Sequence, residues 1–202
     1  MSAERIARVA TCAALYASAS VFCLLFLGSL AWGPVQFRAS EALCVLALFT
    51  PDAVPGLALG CAIANAVNIV LGGTGTLGLL DVVFGTLATA LGAAWTWRFR
   101  SRRAVALLGP VIANALIVPA YLPLMLQGLG FYTVPFTSVA LDGAWPLMYA
   151  FGLVATAVGE AVVLAVLGAP FARALARSPL PGLVAPVETL AENPAPVSES
   201  RP

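Results

Sequence analysis

Ten arginines and no lysine punctuate this chain, and the apolar stretches between them allow one threading through a bilayer. Six stretches read as helices: 6–30, 38–49, 53–71, 79–97, 104–126 and 146–170. A membrane span needs about 20 apolar residues, and the second stretch falls short. At about 12 residues an α-helix rises only about 18 Å, so this segment must tilt against its neighbours or begin earlier, near Gly33. It ends at Thr50-Pro51-Asp52, where proline stops a helix and Asp52 is positioned to cap the next one. With an even number of passes both termini lie on one side. That side collects Arg5, Arg8, Arg98, Arg100, Arg102, Arg103, Arg173, Arg177 and Arg201. Positive charge near helix ends marks the cytoplasm. The expected class is therefore an all-α integral membrane protein of six transmembrane helices with both termini cytoplasmic. Trp32 and Trp145 fall at the outer interface, Trp95 and Trp97 at the inner one. Arg38 alone is left on the outer side, three residues before Glu41. A solitary guanidinium at that boundary needs a local reason, and a binding site supplies one.

Composition closes the other routes. The chain is 61% hydrophobic and 9% charged, with a mean hydropathy of +0.98. A soluble domain carries about 25% charged residues. The net charge of +1 gives no basic field for nucleic acid. There is no histidine, which removes the commonest general base and metal ligand, and neither metal nor cofactor is expected. Cys12, Cys23, Cys44 and Cys61 form no C-x-x-C pair and read as small core residues. The first apolar run exceeds the 7–15 residues of a signal-peptide core, so it reads as a helix. Residues 1–177 form the membrane domain; 178–202, rich in Pro, Ala, Glu and Ser, read as a disordered tail. Gly73-Thr74-Gly75-Thr76-Leu77-Gly78 matches G-x-G-x-x-G, but that motif needs a preceding strand in a βαβ unit. Between membrane helices it is a turn. No G-x-x-x-x-G-K-[ST] is present, so ATP-driven work would need other subunits.

An ionisable group inside a bilayer costs about 2.5–3.5 kcal/mol on insertion scales and marks a candidate site. Such groups recur at helical spacing. Arg38 and Glu41 share a face of the second stretch. Cys61, Asn65, Asn68 and Gly72 form a stripe on the third, and Asp81, Gly85, Thr89 and Gly92 one on the fourth. The fifth offers Asn114 and Tyr121, the sixth Tyr149, Thr156 and Glu160. Pointing these faces inward makes a common polar interior. Each has a plainer explanation. Arg38 and Glu41 can pair with each other. Asn65, Asn68 and Asn114 can be interhelical hydrogen-bond glue, and Asp81 can cap a helix N-terminus. Glu160 is far from either helix end and demands a partner or a proton. Gly56 and Gly60 make a G-x-x-x-G packing face. The first helix carries Ala10, Ala13, Ala14, Ala17 and Ser18, a small-residue surface suited to internal packing or to docking another membrane subunit.

Val35-Gln36-Phe37-Arg38-Ala39-Ser40-Glu41-Ala42-Leu43, followed by Phe49-Thr50-Pro51, Pro55-Gly56-Leu57, Gly60-Cys61, Ala64-Asn65 and 81–89 (Asp-Val-Val-Phe-Gly-Thr-Leu-Ala-Thr), resembles the queuosine-precursor transporter (QueT) family. These are S components, the substrate-binding subunits of energy-coupling-factor (ECF) transporters. The likeness spans about 6–170 in hydropathy, with its specific motifs in 35–92 and Gly159-Glu160 as a later echo. It implies a six-helix S-component-like bundle that takes up a 7-cyano- or 7-aminomethyl-7-deazaguanine. It also implies a transmembrane T component and two ATPase subunits as partners, with the family's alanine docking motif on Ala10 and Ala14. A deazaguanine edge offers adjacent donors that one carboxylate can accept, whether Glu41, Asp81 or Glu160. Its oxygen wants a donor such as Arg38, Gln36 or an asparagine. Trp32, Phe37 and Trp145 are the outer candidates for an aromatic slot. The candidate substrate-binding set is Gln36, Arg38, Glu41, Asn65, Asn68, Asp81, Asn114 and Glu160.

The alternative is a self-sufficient secondary transporter or channel, but no inverted repeat or matched pair of interrupted helices supports it. An embedded enzyme finds no catalytic cluster.

Overall fold

A computed structural model describes residues 2–28, 37–128, 138 and 145–178. Gln36, Trp32, Arg201, the 179–202 stretch and most of the outer segment 127–144 lie outside the described residues. Among those described, every regular element is helical. Five helices are long and apolar enough to cross a membrane: Ala3–Leu27 (α1), Ala53–Leu71 (α2), Gly75–Arg98 (α3), Arg103–Gly128 (α4) and Trp145–Ala176 (α5). Their outer surfaces are apolar. Phe22, Phe26, Val70, Leu147 and Val166 are each at least 60% exposed, which water would penalise and lipid does not.

Local chemistry sets the boundaries. Ser2 caps α1 by accepting the Arg5 amide at 3.4 Å, and Gly28 ends it at φ 52°. The Gly73-Thr74-Gly75 turn joins α2 to α3, with φ of 64° and 55° at its glycines; only glycine adopts such values without strain. The G-x-G-x-x-G string is thus a helix-to-helix turn. Pro170 does not stop the last helix, which continues to Ala176. A π turn over Leu164–Gly168 precedes the proline; it resets the hydrogen-bond ladder where proline lacks an N–H.

The short second segment, Ala39–Leu48, is a 3₁₀ helix. Its ten residues rise about 20 Å at about 2.0 Å each, against about 15 Å for an α-helix. It runs antiparallel to α1. Ser20 Oγ donates to Ser40 Oγ at 2.7 Å, Tyr16 lies against Glu41, and Arg5 and Arg8 reach Asp52. The 37–52 chain therefore returns to the end where α1 began. There the expected helix cap is corrected. The Asp52 carboxylate makes no capping bond to α2; it accepts Arg5 Nε at 2.7 Å and Arg8 Nε at 2.8 Å. Two guanidiniums outcompete neutral backbone amides for a buried carboxylate.

Close approach of the helices depends on glycine. A Cβ on Gly60 would sit 2.6 Å from the Ala13 carbonyl oxygen, and one on Gly56 would sit 2.6 Å from Cys12 Cβ. The G-x-x-x-G face is the α1–α2 seam. Gly92 meets Pro110, and Gly152 meets Pro119, so prolines inside α4 seat against glycines of α3 and α5. Arg98, Arg100, Arg102 and Arg103 cluster at the α3–α4 link. Arg103 and Arg173 flank one groove with Leu48, so these arginines share the end marked by Arg5, Arg8 and Asp52. An apolar cluster of Val45, Leu46, Leu48, Leu57, Ala93, Ala106, Leu164 and Leu175 fills the interior on that side.

Burial alone would raise the Asp52 carboxyl, but hydrogen bonds and charge from Arg8 and Arg5 outweigh it and hold it below the usual carboxylate range. Such a group stabilises the fold above its unfolded value of about 3.9 and ceases to do so as pH falls through the folded one. In detergent, Asp52→Asn should unfold at lower temperature than the wild type at neutral pH. The gap should narrow as pH drops below about 4; a gap independent of pH would show that the ion pairs contribute nothing.

Candidate functional site

Glu41 organises the interior. It is 1% exposed and sits on the 3₁₀ helix, where residues three apart eclipse. Cys44 is therefore stacked on it, and its thiol donates to Glu41 Oε2 at 3.3 Å. Two other helices supply the remaining donors. The Tyr16 hydroxyl of α1 makes a short hydrogen bond to Oε1, and Thr89 Oγ1 of α3 donates to the same oxygen at 3.3 Å. Thr89 also lies 3.4 Å from Cys61 Sγ of α2.

Asn65 extends the network. Its Oδ1 accepts Arg38 Nη2 at 2.8 Å, and its Nδ2 donates to the Asp81 carbonyl at 2.7 Å and to Cys61 Sγ at 3.4 Å. This explains a local irregularity of α3. Asp81–Gly85 is a π turn, formed where an asparagine amide takes a carbonyl out of the ordinary ladder. A Cβ on Gly85 would lie 3.0 Å from that amide, so the missing side chain lets Asn65 in. Asp81 is not a helix cap. It is buried, and Tyr121 donates to its Oδ1 at 2.6 Å.

Arg38, Glu41, Asn65 and Asp81 thus belong to one connected network, near the end of the bundle away from the other described arginines. Arg38 does not pair with Glu41. Among the described residues the ion pairs are those of Asp52. Asn68, one turn on from Asn65, is buried with Oδ1 unpartnered. Across the interior, Asn114 of α4 and Glu160 of α5 are buried at 6% and 7% exposure. Asn114 Nδ2 and Glu160 Oε1 have no hydrogen-bond partner, and neither does Thr156 Oγ1. Glu160 is within electrostatic reach of Glu41 and Arg38, so both halves face one interior.

Several expectations change. Tyr149 leaves the interior stripe: its hydroxyl donates to the Leu116 carbonyl at 3.1 Å, and its ring stacks on Trp145 at 5.1 Å. Trp145 is 47% exposed and Phe37 36%, as residues near the rim rather than the interior. The buried aromatic beside the network is Tyr121, stacked on Phe84 at 5.6 Å. Tyr16, Ser20 and Ser40 were missed. Cys12, Tyr16, Ser20 and Cys23 recur on the buried face of α1; that spacing was the available signal, masked by the neighbouring alanines. Ala13 packs inside, whereas Ala10 and Ala14 lie exposed on the outer face of α1.

Residues 6–177 match the family model described as QueT transporter. The chain belongs to the QueT transporter family. No curated protein and no solved structure matches it. As a QueT transporter with five long apolar helices it is a multi-pass membrane protein, and its buried polar network is the candidate site.

Tyr16→Phe removes one donor from a buried carboxylate. Unfolding in detergent should show a loss of about 1.5–3 kcal/mol. A neutral effect would mean that Thr89 and Cys44 satisfy Glu41 without it.

Proposed function

We propose that this chain is the substrate-capture S component of an ECF-type importer, taking a queuosine precursor from outside a prokaryotic plasma membrane. The cargo is 7-cyano- or 7-aminomethyl-7-deazaguanine. The observation that carries the reading is Arg38: it joins a buried polar network at the end of the bundle opposite the other described arginines. By the positive-inside rule the arginine-rich end is cytoplasmic and the network lies toward the exterior. The antiparallel 3₁₀ helix supports six passes, with both termini cytoplasmic. The apolar cluster on the arginine side supports a site closed to the cytosol, as a capture subunit needs.

Arg38, Glu41, Asn65, Asn68, Asp81, Asn114 and Glu160 form the binding chamber, and Gln36, outside the described residues, belongs to the same substrate-binding set. A planar base suits such a chamber, because its edge presents donors and an acceptor in one plane while Tyr121 can border a face. The chain contains no P-loop motif, so transport draws on two ATPase subunits through a T component. Exposed Ala10 and Ala14 form the close-approach face for that subunit.

Arg38→Ala should weaken deazaguanine binding at least about tenfold, the scale of a lost charged hydrogen bond, while the protein still folds. Calorimetry of the purified protein reads this, and unchanged affinity removes Arg38 from the site. Ala14→Trp should abolish co-purification with the T component and uptake while leaving binding intact. A variant that still assembles would eliminate the docking face. Uptake by the chain alone, without ATPases, would instead favour a secondary transporter.

A further inference from the structure

The interior carboxylates are not equivalent. Glu41 has both oxygens engaged by Tyr16, Thr89 and Cys44, and Asp81 holds Tyr121. Asn65 is fully used as well, accepting from Arg38 and donating to Asp81 and Cys61. Glu41 and Asn65 cannot turn to a ligand without surrendering existing bonds. Other buried groups are in the opposite state: Asn68 Oδ1 of α2 and Thr86 Oγ1 of α3 lack partners, and three more such atoms stand on the facing wall. Glu160 Oε1, Asn114 Nδ2 and Thr156 Oγ1 are buried and make no hydrogen bond, although the Asn114 amide lies close enough to the Glu160 carboxyl to act on it. Thr156 and Glu160 are one helical turn apart on α5, so they share a face. Asn114 comes from the adjoining α4. Buried polar atoms without partners are rare and call for a ligand or ordered water. Here they comprise one acceptor, one donor and one hydroxyl that can be either.

We propose that Glu160, Asn114 and Thr156 are the groups that read the pyrimidine edge of the base, while the Arg38–Asn65–Asp81 side frames it. This rests on the deazaguanine reading above. The Glu160 carboxylate accepts from the ring N1–H and the 2-amino group, Asn114 Nδ2 donates to the 6-oxygen, and Thr156 Oγ1 accepts the second 2-amino hydrogen. The chemical class selected is a 2-amino-6-oxo pyrimidine ring fused to a five-membered ring. An analogue lacking the 2-amino group leaves Thr156 and part of Glu160 unpaired again, and buried sites reject such analogues strongly.

The test is calorimetry with 7-cyano-7-deazaguanine and its 2-desamino analogue, on wild type, Glu160→Gln and Asn114→Asp. The wild type should prefer the 2-amino compound by at least about tenfold. Glu160→Gln should collapse that preference toward unity. Asn114→Asp should weaken both compounds alike, since both carry the 6-oxygen. Thermal unfolding within a few degrees of the wild type verifies that each variant is folded; if Glu160→Gln is not, Thr156→Val must narrow the preference instead. A preference retained in folded Glu160→Gln, or in Thr156→Val, overturns this assignment and leaves the transport reading standing. Failure of the wild type to bind either compound overturns the cargo itself.

Discussion

A carboxylate buried inside a membrane protein must be answered by donors, and the structure around Glu41 is that answer. Its three donors come from α1, from α3 and from its own 3₁₀ helix. An uncompensated charge there would cost several kcal/mol, so the three elements cannot separate without that penalty. The 3₁₀ geometry serves the same end. It places Cys44 directly over Glu41, and it stretches ten residues far enough to return the chain to the start of α1. An α-helix of equal length would fall about 5 Å short and would rotate Cys44 away from the carboxylate.

Donors on neighbouring helices reach one acceptor only if the helices lie close, and glycine makes that possible. Gly56 and Gly60 let α1 settle onto α2 far enough for Tyr16 to enter the interior. Gly85 opens the space through which Asn65 reaches the Asp81 carbonyl. Gly92 and Gly152 receive Pro110 and Pro119 of α4. Each proline costs α4 a backbone bond, and at Pro110 the freed Ala106 carbonyl accepts Thr96 Oγ1 of α3 at 3.1 Å instead.

Much of this was legible in the sequence, for physical reasons. Lipid demands long apolar runs, so the 53–71 helix was bounded correctly and the others within a few residues at most described ends. Arg38, Glu41, Asn65 and Asp81 stood out because polar groups in such runs are expensive. What failed was partner choice. Asp52 looked like a cap because helix starts favour carboxylates, yet Arg5 and Arg8, distant in sequence, took it. Spacing allowed Arg38 to pair with Glu41 as the plainer alternative to a binding site, yet it bonds Asn65. The 3₁₀ form of Ala39–Leu48 was hidden, since an apolar run of that length does not distinguish three residues per turn from 3.6. Tyr16 was passed over because the alanines around it made α1 read as a packing surface without ionisable groups. Continuation past Pro170 was missed because a π turn leaves no mark in hydropathy.

The interior holds one set of polar groups that satisfy one another and another set that do not. The first, centred on Glu41 and Asn65, keeps its shape without a ligand and is built as a preorganised frame. The second, Asn114, Thr156 and Glu160 of α4 and α5 together with Asn68 of α2 and Thr86 of α3, carries buried atoms that lack partners, and each such atom costs about 1–3 kcal/mol. Anything that supplies the missing partners stabilises the folded state through mass action. The binding energy of a solute would thus be concentrated on that second set, while the frame determines where that solute sits. A site made wholly of satisfied groups would bind weakly, and one made wholly of unsatisfied groups would not hold its geometry.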